Sequence, residues 1–327
     1  MLRASKAKSV LTLFLAGAFL AGCEGGATST GSFDRTYDVS GPVKLDLSNS
    51  SGSIRIVGSA DKKVHIHGDI RAHGFLFNNA EKQAREISAN PPIEQKPDII
   101  RVGKELNHFN GVSIDYMIEL PRNAEVSTSV ASGAQTISDL LGPVKVQSAS
   151  GSIAVSKIER SVQVSTASGS ITAQDLGEDF RGNSVSGSMT VSNIKGDVRA
   201  HVTSGSTNIS GPGGRVEAGT TSGTVTVTGA GNDGTASAVS GRVTVQGNPS
   251  GNSYWDLKTT SGSVEVAVPA NANFHLSAQA VSGDIQAGIP IVIEDQNKHS
   301  LRARVGNAGG RVEIHTVSGG IKVQPAS

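Results

Sequence analysis

The sequence predicts an all-β chain, built as a single-stranded parallel β-helix: a solenoid of 18-residue coils, right-handed, with an N-terminal capping region that contains one short helix. Three observations carry that expectation. The dipeptide Ser-Gly recurs every 18 residues, at 132, 150, 168, 186, 204, 222 and 240. Apolar residues fall in two alternating pairs inside each interval. Gly supplies 40 of the 327 residues and aromatics only 4%, where Gly is usually about 7% of a chain. A fixed period of this size, with no helical pattern inside it, is the mark of stacked repeats.

Each coil reads as two strands and two turns. Counting from the Ser as zero, position +3 runs from Gln135 and Ile153 to Val243, and +5 from Ile137 to Val245. Position +12 runs from Val144 to Gly234, and +14 from Val146 to Ala236. Polar residues such as Lys145, Gln163, Arg181 and Arg199 separate the second pair, so each pair marks a strand with one buried face. Stacked coils would place like residues about 4.8 Å apart. A left-handed hexapeptide helix would show an apolar residue every six positions on three sides; two strands do not fit it, and parallel crossovers prefer the right hand. The Ser-Gly turn calls for Gly where a Cβ would clash. Ser-Gly returns at 261 and 282, each 21 residues on, and at 318. Residues 288–307 fill a place where another copy would fall, as an irregular or looped-out coil.

The chain begins with a targeting pattern. Arg3, Lys6 and Lys8 precede an apolar run from Val10 to Leu20, which is too short to span a bilayer as a helix and suits a signal peptide. It ends in Leu20-Ala21-Gly22-Cys23, which resembles the lipobox of bacterial lipoproteins. That resemblance implies removal of residues 1–22, acylation of Cys23, a lipid-anchored mature chain, and a tether over 23–34. Glu24 stands where the inner-membrane retention signal usually has Asp, which favours the outer membrane. Residues 35–130 read as the N-terminal β region and cap. Strands are expected at Val43–Leu47, Ile54–Val57, Lys63–His67, Ile99–Val102 and Val112–Leu120, with a helix at Ala80–Ile87 after Asn78-Asn79. Residues 131–325 form the repeat region. One unit occurs twice: strand, Pro, two residues, Ala, then an apolar strand, at Pro121–Val126 and Pro269–Phe274.

The chemistry on offer is sparse. A net charge of +1, from 29 basic and 28 acidic residues, gives no basis for phosphate-driven nucleic-acid binding. One Cys excludes a disulfide scaffold. Asp139, Asp175, Glu178, Asp179 and Asp197 sit in or near turns and read as solvated turn residues. His65 and His67 share a strand face near Asp69 and His73, a pattern that a neighbouring strand could complete as a metal site or leave as exposed histidines. No Gly-x-Ser-x-Gly elbow follows a buried strand. No cofactor is expected. A ladder at +4, with Thr172, Thr190, Thr226 and Thr244, forms a nearly uncharged hydroxyl grid; it reads first as strand-favouring Thr in ladders that satisfy one another, with a binding face as the alternative. It has no aromatic ring on which a sugar could stack.

The serial motifs resemble the bacterial putative-adhesin family, a domain of unknown function. The matching segments are Leu45–Ile54, Pro121–Ala124, the Ser-Gly-Ser-Ile copies at 150 and 168, and Arg311–Ile321. The resemblance spans about 35 to 325 and implies a β-helical cell-envelope protein with no established activity. The expected function is a lipid-anchored, non-enzymatic, adhesin-like binding or scaffold module. Its partners would be the membrane, through Cys23, and an envelope polymer or protein. The alternative is a polysaccharide-active lyase or hydrolase with its site in 247–260 or 288–307.

Overall fold

A computed structural model describes residues 28–73, 80–104, 111–249, 251–307 and 309–326. The described residues fold as an all-β, solenoid-like sheet with one helix. In order, the N-terminal elements are β1 (Thr28–Asp38), β2 (Lys44–Ser51), β3 (Ile54–Ser59), β4 (Lys63–His73), α1 (Ala80–Ala89), β5 (Ile93–Lys96), β6 (Ile99–Val102), β7 (Val112–Pro121), β8 (Glu125–Ser132) and β9 (Gln135–Leu140). The repeat strands follow: β10 (Val144–Ser150), β11 (Ile153–Ile158), β12 (Val162–Ser168), β13 (Ile171–Leu176), β14 (Phe180–Ser186), β15 (Met189–Ile194), β16 (Val198–Ser204) and β17 (Thr207–Pro212). Then come β18 (Val216–Ala230), β19 (Gly234–Gly247), β20 (Tyr254–Ser261), β21 (Val264–Val268), β22 (Phe274–Ser282) and β23 (Ile285–Ala287). The last four are β24 (Val292–Gln296), β25 (Ser300–Val305), β26 (Gly310–Ser318) and β27 (Ile321–Pro325).

Two parallel stacks run through the repeat region. In one, Val126, Val144, Val162, Phe180, Val198, Val216, Gly234 and Trp255 lie side by side. In the other, Gln135, Ile153, Ile171, Met189, Thr207, Val225, Val243 and Val264 do. Their side chains enter one continuous core. The polar entrant Gln135 is paired there: its Oε1 accepts the Thr128 hydroxyl at 2.6 Å and its Nε2 donates to the Gln147 carbonyl. Phe180 sits beside a missing side chain, in space that a Cβ on Gly182 would need. Trp255 pairs in register with Gly234 and donates from its indole to the Asn232 carbonyl at 2.9 Å.

The coils are not stacked in chain order at either end. The coil made by β2 and β3 lies between β6 and β7 on one side and β8 and β9 on the other. The coil made by β26 and β27 lies between β20 and β21 on one side and β22 and β23 on the other. Each inserted coil fills a layer that the chain has skipped, and each skip is made by the repeated Pro unit. There the Ala124 N–H donates to the Pro121 carbonyl and the Ala272 N–H to that of Pro269, both at 3.0 Å. The inserted side chains Leu47, Ile56, Val312, Ile314 and Val323 are fully enclosed.

The ends are finished differently. At the N-terminal end, β1 pairs antiparallel with β4, and β4 with β7. The helix α1 buries Ala80, Ala84 and Ile87 against them; its Asn78-Asn79 lead-in lies outside the described residues. At the other end, the irregular 288–307 stretch is a hairpin: β25 pairs antiparallel with β22, and β24 with β25.

A second backbone column lies at +7. Asp139, Lys157, Asp175 and Asn193 all take positive φ, between 54° and 62°, and Gly211 and Gly229 continue the column. Asp and Asn tolerate this region better than most residues. Lys157 is the least suited member and lies 3.6 Å from the Asp139 carboxylate.

Candidate functional site

A long concave surface lies on the stack that begins with β8, not on the Thr ladder. Along each of these strands the side chain at +16 points inward, while those at +15 and +17 point out and flank it. Repetition over successive coils turns this into a groove of about 940 Å³ running from Ser129 to Val239. One rail carries Gln147, Ser165, Asn183 and His201; the other carries Ala149, Ala167, Val185 and Thr203. Val185 and Val239 are more than half exposed on that second rail. A further section of about 440 Å³ shares Thr220, Ser237 and Val239 with the first and continues to Lys258, His315 and Val317. The floor is mixed, with Val130 and Val202 beside polar groups that are satisfied: the Ser148, Thr166 and Ser184 hydroxyls donate to the carbonyls of Ser150, Ser168 and Ser186 at 3.1 to 3.3 Å.

The sequence-selected residues sit elsewhere. Thr172 and Thr190 are neighbours on the other stack, followed by Asn208, Thr226 and Thr244. These threonines line none of the groove, and Glu265 and Lys322 continue their ladder. Cys23 and the signal segment lie outside the described residues.

The turn carboxylates have structural partners. Asp179 Oδ1 accepts the Asp197 N–H at 2.9 Å, Asp197 Oδ1 accepts that of Arg215 at 2.8 Å, and Asp233 Oδ1 accepts that of Tyr254 at 2.9 Å. Each Asp therefore fixes the backbone of the next coil, where a solvated turn residue was expected. His65 and His67 do not converge. His65 meets the Thr36 hydroxyl at 3.0 Å, while His67 bridges Asp34 at 2.8 Å and Asp69 at 3.2 Å. The hydrogen bond to Asp34, aided by Asp69, holds the His67 pKa above the ordinary imidazole value despite some desolvation. Among the described residues no cluster of three His, Cys, Asp or Glu could hold a metal ion. No helix among them is long and apolar enough to cross a membrane.

The two irregular stretches hold scattered polar groups. In the first, Asp256 pairs with Lys258 at 2.6 Å. Tyr254 donates to Glu313 at 2.7 Å, a bond that ties β20 to β26 and pushes the phenol up to about 12. In the second, Glu294 and Asp295 lie on the exposed strand β24.

Comparison with known proteins gives a family and two structural likenesses. A crystal structure described as a "putative cell adhesion protein" from Clostridium sporogenes aligns at 12% identity, over 91% of this chain and all of that one, with a TM-score of 0.23. A "putative adhesin" from Bacteroides fragilis aligns at 13% identity, over 89% of this chain and 96% of that one, with a TM-score of 0.31. No curated protein matches the chain. Residues 44–324 match the Toastrack DUF4097 family model, a span that takes in both inserted coils and all the stacked strands between them, and the chain belongs to that family.

Proposed function

We propose that this chain is a non-enzymatic binding module of the bacterial cell envelope, anchored by lipid at Cys23, whose groove holds an extended polymer. The observation that carries the reading is the groove's uniformity. The same two rails repeat coil after coil, and the acidic side chains of the nearby turns are engaged by neighbours rather than aimed at a common point: Asp179 and Asp197 by backbone N–H groups, and Asp139, Asp175 and Glu178 by Lys157, Asn193 and Arg160. A site that repeats every strand suits a ligand that also repeats along its length. The solenoid is taken as a right-handed parallel β-helix of 18-residue coils, a hand supported by the general preference of parallel crossovers. A signal peptide over 1–22 and a tether over 23–34 complete the arrangement, with outer-membrane placement favoured by Glu24. Binding is assigned to the groove rather than to Thr172, Thr190, Thr226 and Thr244, because these threonines line no part of that concave surface.

Ala149 and Ala167 are exposed on the groove wall, so a large side chain there fills the groove without entering the core. Ala149→Trp and Ala167→Trp should each weaken retention on envelope polymer extract about tenfold, or about 1.4 kcal/mol. Thermal melting should stay near that of the parent, and Thr172→Ala should bind normally. Unchanged retention by both Trp variants would overturn the groove assignment. Separately, Cys23→Ser should shift the protein from the membrane pellet to the soluble fraction; persistence in the pellet would rule out the lipid anchor.

A further inference from the structure

Resting on the groove reading, we propose that the ligand is an acidic linear polymer, with its charges seated over the coils of β10, β12 and β14 by Lys145 and Arg181. The first support is what the groove lacks. Among the described residues, its two sections are lined by no Asp or Glu, in a chain that carries 28 acidic residues. The second is a free run of donors beside it. Lys145, Gln163 and Arg181 stack in register at +13, all exposed. Each lies two residues before the polar rail of Gln147, Ser165 and Asn183, on the same face of the same strand.

Other cations on this stack are engaged. Arg199 meets Glu217 at 3.1 Å, Arg215 meets Asp233 at 3.0 Å, and Lys258 meets Asp256 at 2.6 Å. Lys145 and Arg181 form no ion pair among the described residues. They border an adjoining depression that also holds two carboxylates: Glu125 pairs with Lys44 at 2.6 Å, while Asp179, hydrogen-bonded to the neutral Asp197 N–H, keeps its charge. Counting Lys44, three cations face two carboxylates there, and neither Lys145 nor Arg181 is paired among the described residues.

The spacing selects the ligand's form. Two coils separate Lys145 from Arg181, about 10 Å at the usual interstrand distance, with the neutral donor Gln163 between them. A single exposed ion pair contributes little. A monomeric acid would gain little, whereas a chain presenting repeated charges makes its second contact at high effective concentration. Carboxylates of an acidic glycan and phosphodiesters of a polyol phosphate share this chemistry.

The test uses the full chain and three fluorescently labelled polymers: polygalacturonate, a poly(glycerol phosphate) and dextran. Either or both acidic polymers should bind, more weakly as salt rises, and dextran should not. The tighter of the two identifies the anion. The double variant K145E/R181E should lose at least about tenfold in affinity, while Lys322→Glu on the other stack should not. Equal binding of dextran, or equal losses for Lys322→Glu and the double variant, would overturn the acidic-ligand proposal. If Ala167→Trp still weakened binding about tenfold, the groove reading would survive that failure. If Ala167→Trp also bound normally, both would fall.

Discussion

Gly169→Ala, the addition of one methyl group at an outside corner, is expected to destabilise the protein by roughly 2–6 kcal/mol. At Gly169 φ is +132°, outside the range that L side chains normally adopt, and a Cβ there would collide with the carbonyl oxygen of Gly151. The backbone conformation alone costs a non-Gly residue about 1–3 kcal/mol, and overpacking against atoms that cannot swing aside costs about 1–3 more. The obstacle is backbone, and each neighbouring Gly of the column meets the next in the same way, so the strain cannot be relieved by one side chain turning. The melting temperature should fall by on the order of 10 °C. Gly231→Ala is the matched control, since a Cβ there meets nothing within 4 Å; it should change stability by less than about 0.5 kcal/mol. Equal melting of the two variants would show that the Ser-Gly column is not a steric requirement of the stack.

That column explains how much of the fold was legible. The inward residues and the Ser-Gly corner repeat because the coil repeats, so the chain displays its cross-section many times over. The helix at 80–87 and the strand at 99–102 were readable from their own periodicity. The order of coils at the ends was not. Residues 44–59 and 310–325 carry the same apolar alternation as any other coil, and nothing local says which neighbours they meet. The Gly contacts give the order: Gly52 then Gly133 at one end, and Gly262, Gly319 then Gly283 at the other. The one advance signal was the repeated Pro unit, which marks the skipped layer but reads in sequence only as a turn. The groove was missed for a different reason. Concavity comes from the path of the strand between +15 and +17, and the residues there are ordinary Ser, Ala, Asn and Gln. Their one chemical mark is an apolar side chain where a polar one is expected, at Val185, Val239, Val281 and Val317, all at least half exposed. The Thr ladder attracted attention through composition, which says nothing about shape. The scarcity of aromatic residues fits a narrow interior, in which Phe180 takes the space that a side chain at Gly182 would need.

The interleaved ends lead to a contrast between two deletions. Removing residues 153–170 takes out one interior coil and joins Ser152 to Ile171, so that Ile171 takes the place of Ile153 beside Gln135. Every buried face stays in phase, because the excised length matches the register offset between paired strands. This variant should fold as a shorter solenoid, melting cooperatively, as expected when repeats interact mainly with their nearest neighbours. Removing one residue fewer would turn side chains of the joined strand to the wrong face and should not be tolerated. Ending the chain at 309 removes a similar length but should have a far larger effect. It empties the layer between β20 and β22 and between β21 and β23, stripping ladder partners from both sides at once. Val312, Ile314, Ile321 and Val323 are each at most 1% exposed, and burial of such side chains is worth roughly 1.5–3 kcal/mol apiece. Their combined loss rivals the roughly 5–15 kcal/mol that holds a typical protein folded. The segment from 274 to 305 would then be joined to the stack chiefly through the Pro269–Asn273 connection. Limited proteolysis should cut the truncated chain between 269 and 305 while the strands from β8 to β19 resist, and the interior deletion should show no such cleavage. Protease resistance of the truncated chain across 269–305 would mean that the last coil holds itself in place, and that the inserted coil is not what fastens it.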